Sequence, residues 1–122
     1  MASEREVTQR RRRQLHEDLR AVSYEPLMRG TVVERRRTCG KPNCACARDP
    51  EARHRGKVVT VFLDGRTQVL PLRQDDESRV RSAIETYERL WRIINGLTAC
   101  EFADLRREAR ERRRARRRRV PG

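Results

Sequence analysis

The sequence predicts an α+β fold: an N-terminal helix, a small three-stranded antiparallel sheet with a metal loop, and a C-terminal helical hairpin or long kinked helix ending in an arginine-rich tail. Three observations carry this. Apolar residues fall at helical spacing on both flanks of the chain, two β-rich runs are joined by Asp64-Gly65, and three cysteines and a histidine cluster between Cys39 and His54. The expected organisation is an N-terminal helix over 1–22, a metal-stapled domain over 23–104 and a basic tail over 105–122.

Ser3 and Glu6 have the form of a capping box, and Val7, Leu15, Leu19 and Val22 follow at helical multiples, so residues 4–22 read as the first helix. Pro26 marks its end. The β-branched run Thr31-Val32-Val33 opens a strand expected over Thr31 to Arg36. Residues 57–63 and 66–72 are separated by Asp64-Gly65 alone, the signal of a two-residue type I′ hairpin, with Pro71 placed at a strand end or sheet edge.

Asp75, Asp76 and Glu77 suit a helix N-terminus, and Val80, Ile84, Tyr87, Trp91 and Ile94 repeat at steps of four and three. That predicts a helix over about 75–95 whose stripe packs on the sheet. Asn95-Gly96 reads as a stop and Thr98-x-x-Glu101 as a restart, so a second helix is expected over about 98–117 with Phe102, Leu105 and Ala109 inward; one kinked helix is the alternative. Cys100 reads as a small buried hydrophobe and His16 as solvated.

In 122 residues there are 31 Lys plus Arg against 18 Asp plus Glu, a net charge of +13, and five aromatics. No apolar run approaches the roughly 20 residues that span a bilayer, and residues 1–20 hold no apolar leader core. A cytoplasmic site of action with reduced cysteines is therefore expected. No Ser/His/Asp grouping or carboxylate pair suggests catalysis, and so few large apolar residues cannot line both a core and a deep substrate pocket. The protein is expected not to be an enzyme. The charge is uneven: +6 over 31–73 (10 basic, 4 acidic), −3 over 74–104 (4 basic, 7 acidic) and +8 over 105–122 (10 basic, 2 acidic). Arginine supplies 29 of the cations, which suits phosphate but is equally explained by GC-rich coding.

The cluster Cys39-Gly40-Lys41-Pro42-Asn43-Cys44-Ala45-Cys46, with His54 eight positions on, presents the ligands of a closed structural Zn²⁺ site: Cys39, Cys44, Cys46 and His54. Gly40 can take positive φ and Pro42-Asn43 can turn the chain. An iron–sulphur cluster competes for the same ligands, and free thiols are the plain alternative; a catalytic zinc is disfavoured, since four protein ligands leave no open position.

Through Cys39–Cys46, Gly30 to Val33 and the Asp64-Gly65 hairpin, the sequence resembles an uncharacterised family of small prokaryotic proteins with a CGKPxCxC…H signature, a hairpin and helices, over about Gly30 to Leu105. The resemblance implies the same four metal ligands and a phage or mobile-element, hence nucleic-acid, setting. It places the N-terminal helix and the tail outside the family. Members follow the histidine with Gly-Pro and aromatics, where this chain has Arg55-Gly56-Lys57-Val58-Val59.

A bound Zn²⁺ would staple a small core and gather Arg35, Arg36, Arg37, Lys41, Arg48, Arg53, Arg55 and Lys57 on one surface for a polyanion. Arg113, Arg114, Arg117 and Arg118 in the tail would add a segment that frays when free and orders on phosphate. The first expectation is thus a nucleic-acid binder, DNA or RNA, reading mainly the backbone. The second is an interaction module or homodimer formed through the Val80 to Ile94 stripe.

Overall fold

A computed structural model describes residues 1–120. Helix α1 spans Glu4–Val22, strand β1 Thr31–Arg37, β2 His54–Leu63, β3 Arg66–Leu72 and helix α2 Gln74–Arg119. The three strands form one antiparallel sheet in the order β1-β2-β3. The chain divides into two compact units: Pro26–Tyr87, and Met1–Glu25 with the chain from Glu88 onward.

In the first unit the hairpin forms as its turn chemistry requires. Asp64 and Gly65 take φ of 52° and 77°, the left-handed conformations of a type I′ turn, and Leu63 pairs with Arg66. β1 pairs with β2 from Thr31↔Thr60 to Arg37↔His54. β3 is an edge strand, and Pro71, next to its last residue, opposes Val58. β2 starts earlier than the sequence suggested, because pairing with Arg35 to Arg37 extends it back from Lys57 to His54. Val58, Val59, Val80 and Ala83 are buried here, and Met28 N–H donates to the Ala83 carbonyl at 3.1 Å. Thr86, also buried, satisfies its hydroxyl on the Ser82 carbonyl.

In the second unit α1 starts at the expected cap, Ser3 Oγ accepting from Glu6 N–H at 3.2 Å. It lies antiparallel to α2 along matched contacts. Glu4 takes Arg110, Arg12 takes Glu101 and Asp104, and Leu15 meets Gly96. Thr8, Arg12, Leu15, Leu19 and Val22 form the covered side of α1; Val7, expected on it, is exposed.

Three expectations for the C-terminal region are corrected. α2 is one continuous helix of 46 residues, the single-helix alternative rather than the two helices favoured from the sequence. Gly96 does not stop it: a Cβ there would lie 2.9 Å from Leu15 Cδ1, so this glycine admits α1. Thr98 donates to the Ile94 carbonyl at 2.9 Å, as a threonine inside a helix does, and caps nothing. The inward face differs in part. Cys100 is buried as expected, and so is Ile93, whereas Trp91, Ile94, Phe102 and Leu105, expected inward, are exposed. Finally, the tail, expected to fray when free, continues α2 as helix to Arg119. Arg and Ala are strong helix formers continuing a helix already nucleated, and Arg107 is held by Asp104 at 2.8 Å and Glu111 at 3.8 Å.

Candidate metal centre and cationic surface

The chain between β1 and β2 returns on itself in a way that collects four ligands. The Arg37↔His54 pair closes the loop, which puts Cys39, just past the end of β1, beside the first residue of β2. Gly40 takes φ 81°, the conformation a side chain would resist. The turn at Pro42-Asn43 is closed by Cys44 N–H on the Lys41 carbonyl at 3.2 Å. A 3-10 turn over Ala45–Ala47 then brings Cys46 inward, where it is 2% exposed. A second, over Pro50–Ala52, is capped by Asp49, whose carboxylate accepts from Glu51 N–H at 3.0 Å.

The result is that the Sγ atoms of Cys39, Cys44 and Cys46 and a ring nitrogen of His54 all lie within 4.8 Å of one another. Cys39 Sγ is 3.6 Å from Cys46 Sγ, and Cys44 Sγ is 3.3 Å from His54 Nε2. A tetrahedron with zinc–sulphur bonds of about 2.3 Å has edges of about 3.8 Å, so both separations fit a single small cation. The thiols differ in readiness. The Cys46 backbone N–H, then the neighbouring Cys46 and Cys39 thiols, hold Cys44 below the usual thiol range. Cys46 receives the Cys39 N–H at 3.4 Å, which lowers it, yet burial and the crowding of the Cys44 and Cys39 thiols leave it raised. These are conditions that a divalent cation would relieve. The four residues picked out by spacing are thus brought together as a possible Cys₃His metal site.

The cations predicted around it are sorted by the pleat. Arg35 and Arg37 lie on the sheet face that carries His54, while Arg36, Arg55 and Lys57 lie on the other. The second group is engaged: Lys57 reaches Glu77 at 2.5 Å, Arg55 Glu34 at 3.9 Å and Arg36 Glu51 at 4.0 Å. The Lys57 bond, reinforced by Arg81, holds the Glu77 carboxyl below its usual range. Arg35 and Arg37, with Lys41, Arg48 and Arg53, form no ion pair among the described residues. A cleft of about 240 Å³ beside the metal loop is lined by Arg35, Arg37, Thr38, Cys39, His54 and Arg55, among others. At its edge His54 to Gly56 have no β3 partner, since β2–β3 pairing begins at Lys57. Sequence reasoning missed the neutralising glutamates and Thr38; Glu77 was visible only as a helix-start acid. In the other unit Arg113, Arg114, Arg117 and Arg118 are exposed on α2 without ion pairs among the described residues.

The family profile of a domain of unknown function, DUF6788, matches residues 5–82. The chain belongs to the DUF6788 family. The match takes in nearly all of α1, which the sequence resemblance had left outside, together with the metal loop, the sheet and the start of α2. Comparisons with curated proteins and with solved structures gave no match. Among the described residues no helix is long and apolar enough to cross a membrane.

Proposed function

We propose that this DUF6788 member is a non-enzymatic protein in which a structural Zn²⁺ on Cys39, Cys44, Cys46 and His54 rigidifies a small sheet that grips nucleic acid through its phosphate backbone. The metal assignment rests on donor chemistry. Three thiolates and an imidazole at tetrahedral separations suit Zn²⁺, and occupying all four positions leaves no site for a reacting water. The need for it is visible in the core, where few large side chains are buried in the unit Pro26–Tyr87, so the loop closure contributes what apolar burial does not.

The observation that carries the functional half is the pair Arg35 and Arg37. Both stand unneutralised on the His54 face of the sheet and line the cleft beside the metal loop. Guanidinium groups at alternate positions of one strand are held on the same face at a fixed separation and present forked donors to phosphate oxygens. Arg36, Arg55 and Lys57, being paired with carboxylates, contribute less. The exposed Arg113, Arg114, Arg117 and Arg118 add sequence-independent attraction. An accessory role in a phage or mobile element is the setting this reading favours.

The test is a fluorescence titration of metal-loaded protein with an unrelated oligonucleotide at about 50 and 200 mM salt. Neutralising several phosphates predicts an affinity loss of about a hundredfold or more between the two. Arg35→Ala with Arg37→Ala should weaken binding and flatten the salt slope by about two counterions, whereas Arg55→Ala should change it far less. No binding at the lower salt would refute the proposal.

A further inference from the structure

In the unit formed by residues 1–25 and the chain from Glu88 onward, α1 covers one side of α2 and another side is bare. Trp91, Ile94, Phe102 and Leu105 are 53, 42, 57 and 61% exposed. With Thr98 they fall at successive steps of three, four, four and three. At 100° per residue these positions share one narrow stripe. A contiguous apolar stripe of this kind, bordered by charge, is the mark of a protein interface.

The pattern says what covers it, because the spacing is its own mirror image about Thr98. Two copies of α2 laid antiparallel across a two-fold axis at Thr98 place Trp91 against the partner's Leu105 and Ile94 against the partner's Phe102. Large apolar side chains then meet only one another. Trp91 to Phe102 and Ile94 to Leu105 span the same three-turn interval, the repeat of helices that pair with slight right-handed twist.

The bordering charges agree. Glu88 and Arg106 are separated by five full turns, so both flank the stripe on the same side. Neither forms an ion pair among the described residues; Arg106 lies over the Phe102 ring, 4.8 Å from its centre. In an antiparallel pair, like borders face each other, so each Glu88 comes within reach of the partner's Arg106. A parallel pair would instead set two tails, each of net charge +8 over 105–122, side by side.

We infer that the protein associates as an antiparallel homodimer through the Trp91–Leu105 face of α2. The Val80 end of the stripe expected from sequence takes no part, since Val80 is buried within its own chain. This inference is independent of nucleic-acid binding, and the test is made on nuclease-treated, metal-loaded full-length protein in about 0.3 M salt, where tail repulsion is screened.

Sedimentation velocity over about 1–100 μM should show a monomer–dimer equilibrium, and emission of Trp91, the one tryptophan, should shift to the blue as the dimer forms. Trp91→Gln and Leu105→Gln should each weaken association at least about thirtyfold with circular dichroism unchanged, since both side chains are exposed in the single chain. Glu88→Arg and Arg106→Glu should each weaken it, and the double variant should recover it. A monomer at the highest concentration, a dimer indifferent to Trp91→Gln, or a double variant that fails to recover would each overturn the inference.

Discussion

Replacing Gly96 separates two physical accounts of why a glycine sits in the middle of α2. If it ended a helix in the left-handed conformation, alanine would cost about 1 kcal/mol by steric strain. If it were an ordinary exposed helix position, alanine would gain about 1 kcal/mol in helix propensity. The structure supports neither. Gly96 is inside a continuous helix, and an added Cβ would stand 2.9 Å from Leu15 Cδ1 and 3.1 Å from Leu15 Cδ2. Both Leu15 methyls are crowded, so either the leucine side chain or α1 must give way. Overpacking of this sort costs about 1–3 kcal/mol. Set against the propensity gain, Gly96→Ala should destabilise by about 1 kcal/mol, or about 4 °C in Tm for a chain of this size. In a Leu15→Ala background the obstacle is gone and the same change should stabilise by about 1 kcal/mol. Urea unfolding followed by circular dichroism gives the four-variant cycle, with a coupling of about 2 kcal/mol. An equal stabilisation in both backgrounds would refute the close approach, and an equal destabilisation would restore the helix stop.

Other expectations follow from the same contacts. Arg12, with Arg107 in support, holds the Asp104 carboxyl below its usual range. A carboxylate depressed in the folded state stabilises fully above its unfolded value of about 3.9 and loses that contribution as pH falls through the lower folded value. Asp104→Asn should therefore unfold at lower urea than the parent at neutral pH, and the difference should vanish in acid; a constant gap across pH would contradict the pairing. Gly40, at φ 81°, has open space where a Cβ would stand, so Gly40→Ala is strained by conformation alone and should cost about 1 kcal/mol in unfolding free energy. Competition with a chromophoric chelator should then show the metal held several-fold more weakly, and unchanged affinity would mean that the turn does not position Cys39.

What the sequence showed best was local chemistry. Ser3 with Glu6 set the start of α1, and Asp64-Gly65 set the hairpin, because each signal is complete within a single turn of chain and needs no tertiary partner. The metal cluster was legible for a related reason: ligands this close in sequence are gathered by a single loop, and Arg37↔His54 pairing supplies the one long-range step. Where the outcome depends on which neighbour arrives, the sequence was silent. Asn95-Gly96 is the same dipeptide whether a helix ends or another helix approaches. Trp91 and Ile93 are both apolar, and periodicity alone does not say which one α1 covers. Lys57 and Glu77 belong to different elements, so the neutralisation that divides the basic patch into engaged and free arginines emerges only in three dimensions.

Native mass spectrometry paired with amide NMR of the reduced protein, before and after exhaustive chelation, tests the metal-stapled fold most directly. One Zn²⁺ per chain, with resonances of residues 31–63 collapsing on its removal and returning on its addition, is the expected result. A chain that carries no metal, or that keeps the same dispersed spectrum after chelation, would contradict it.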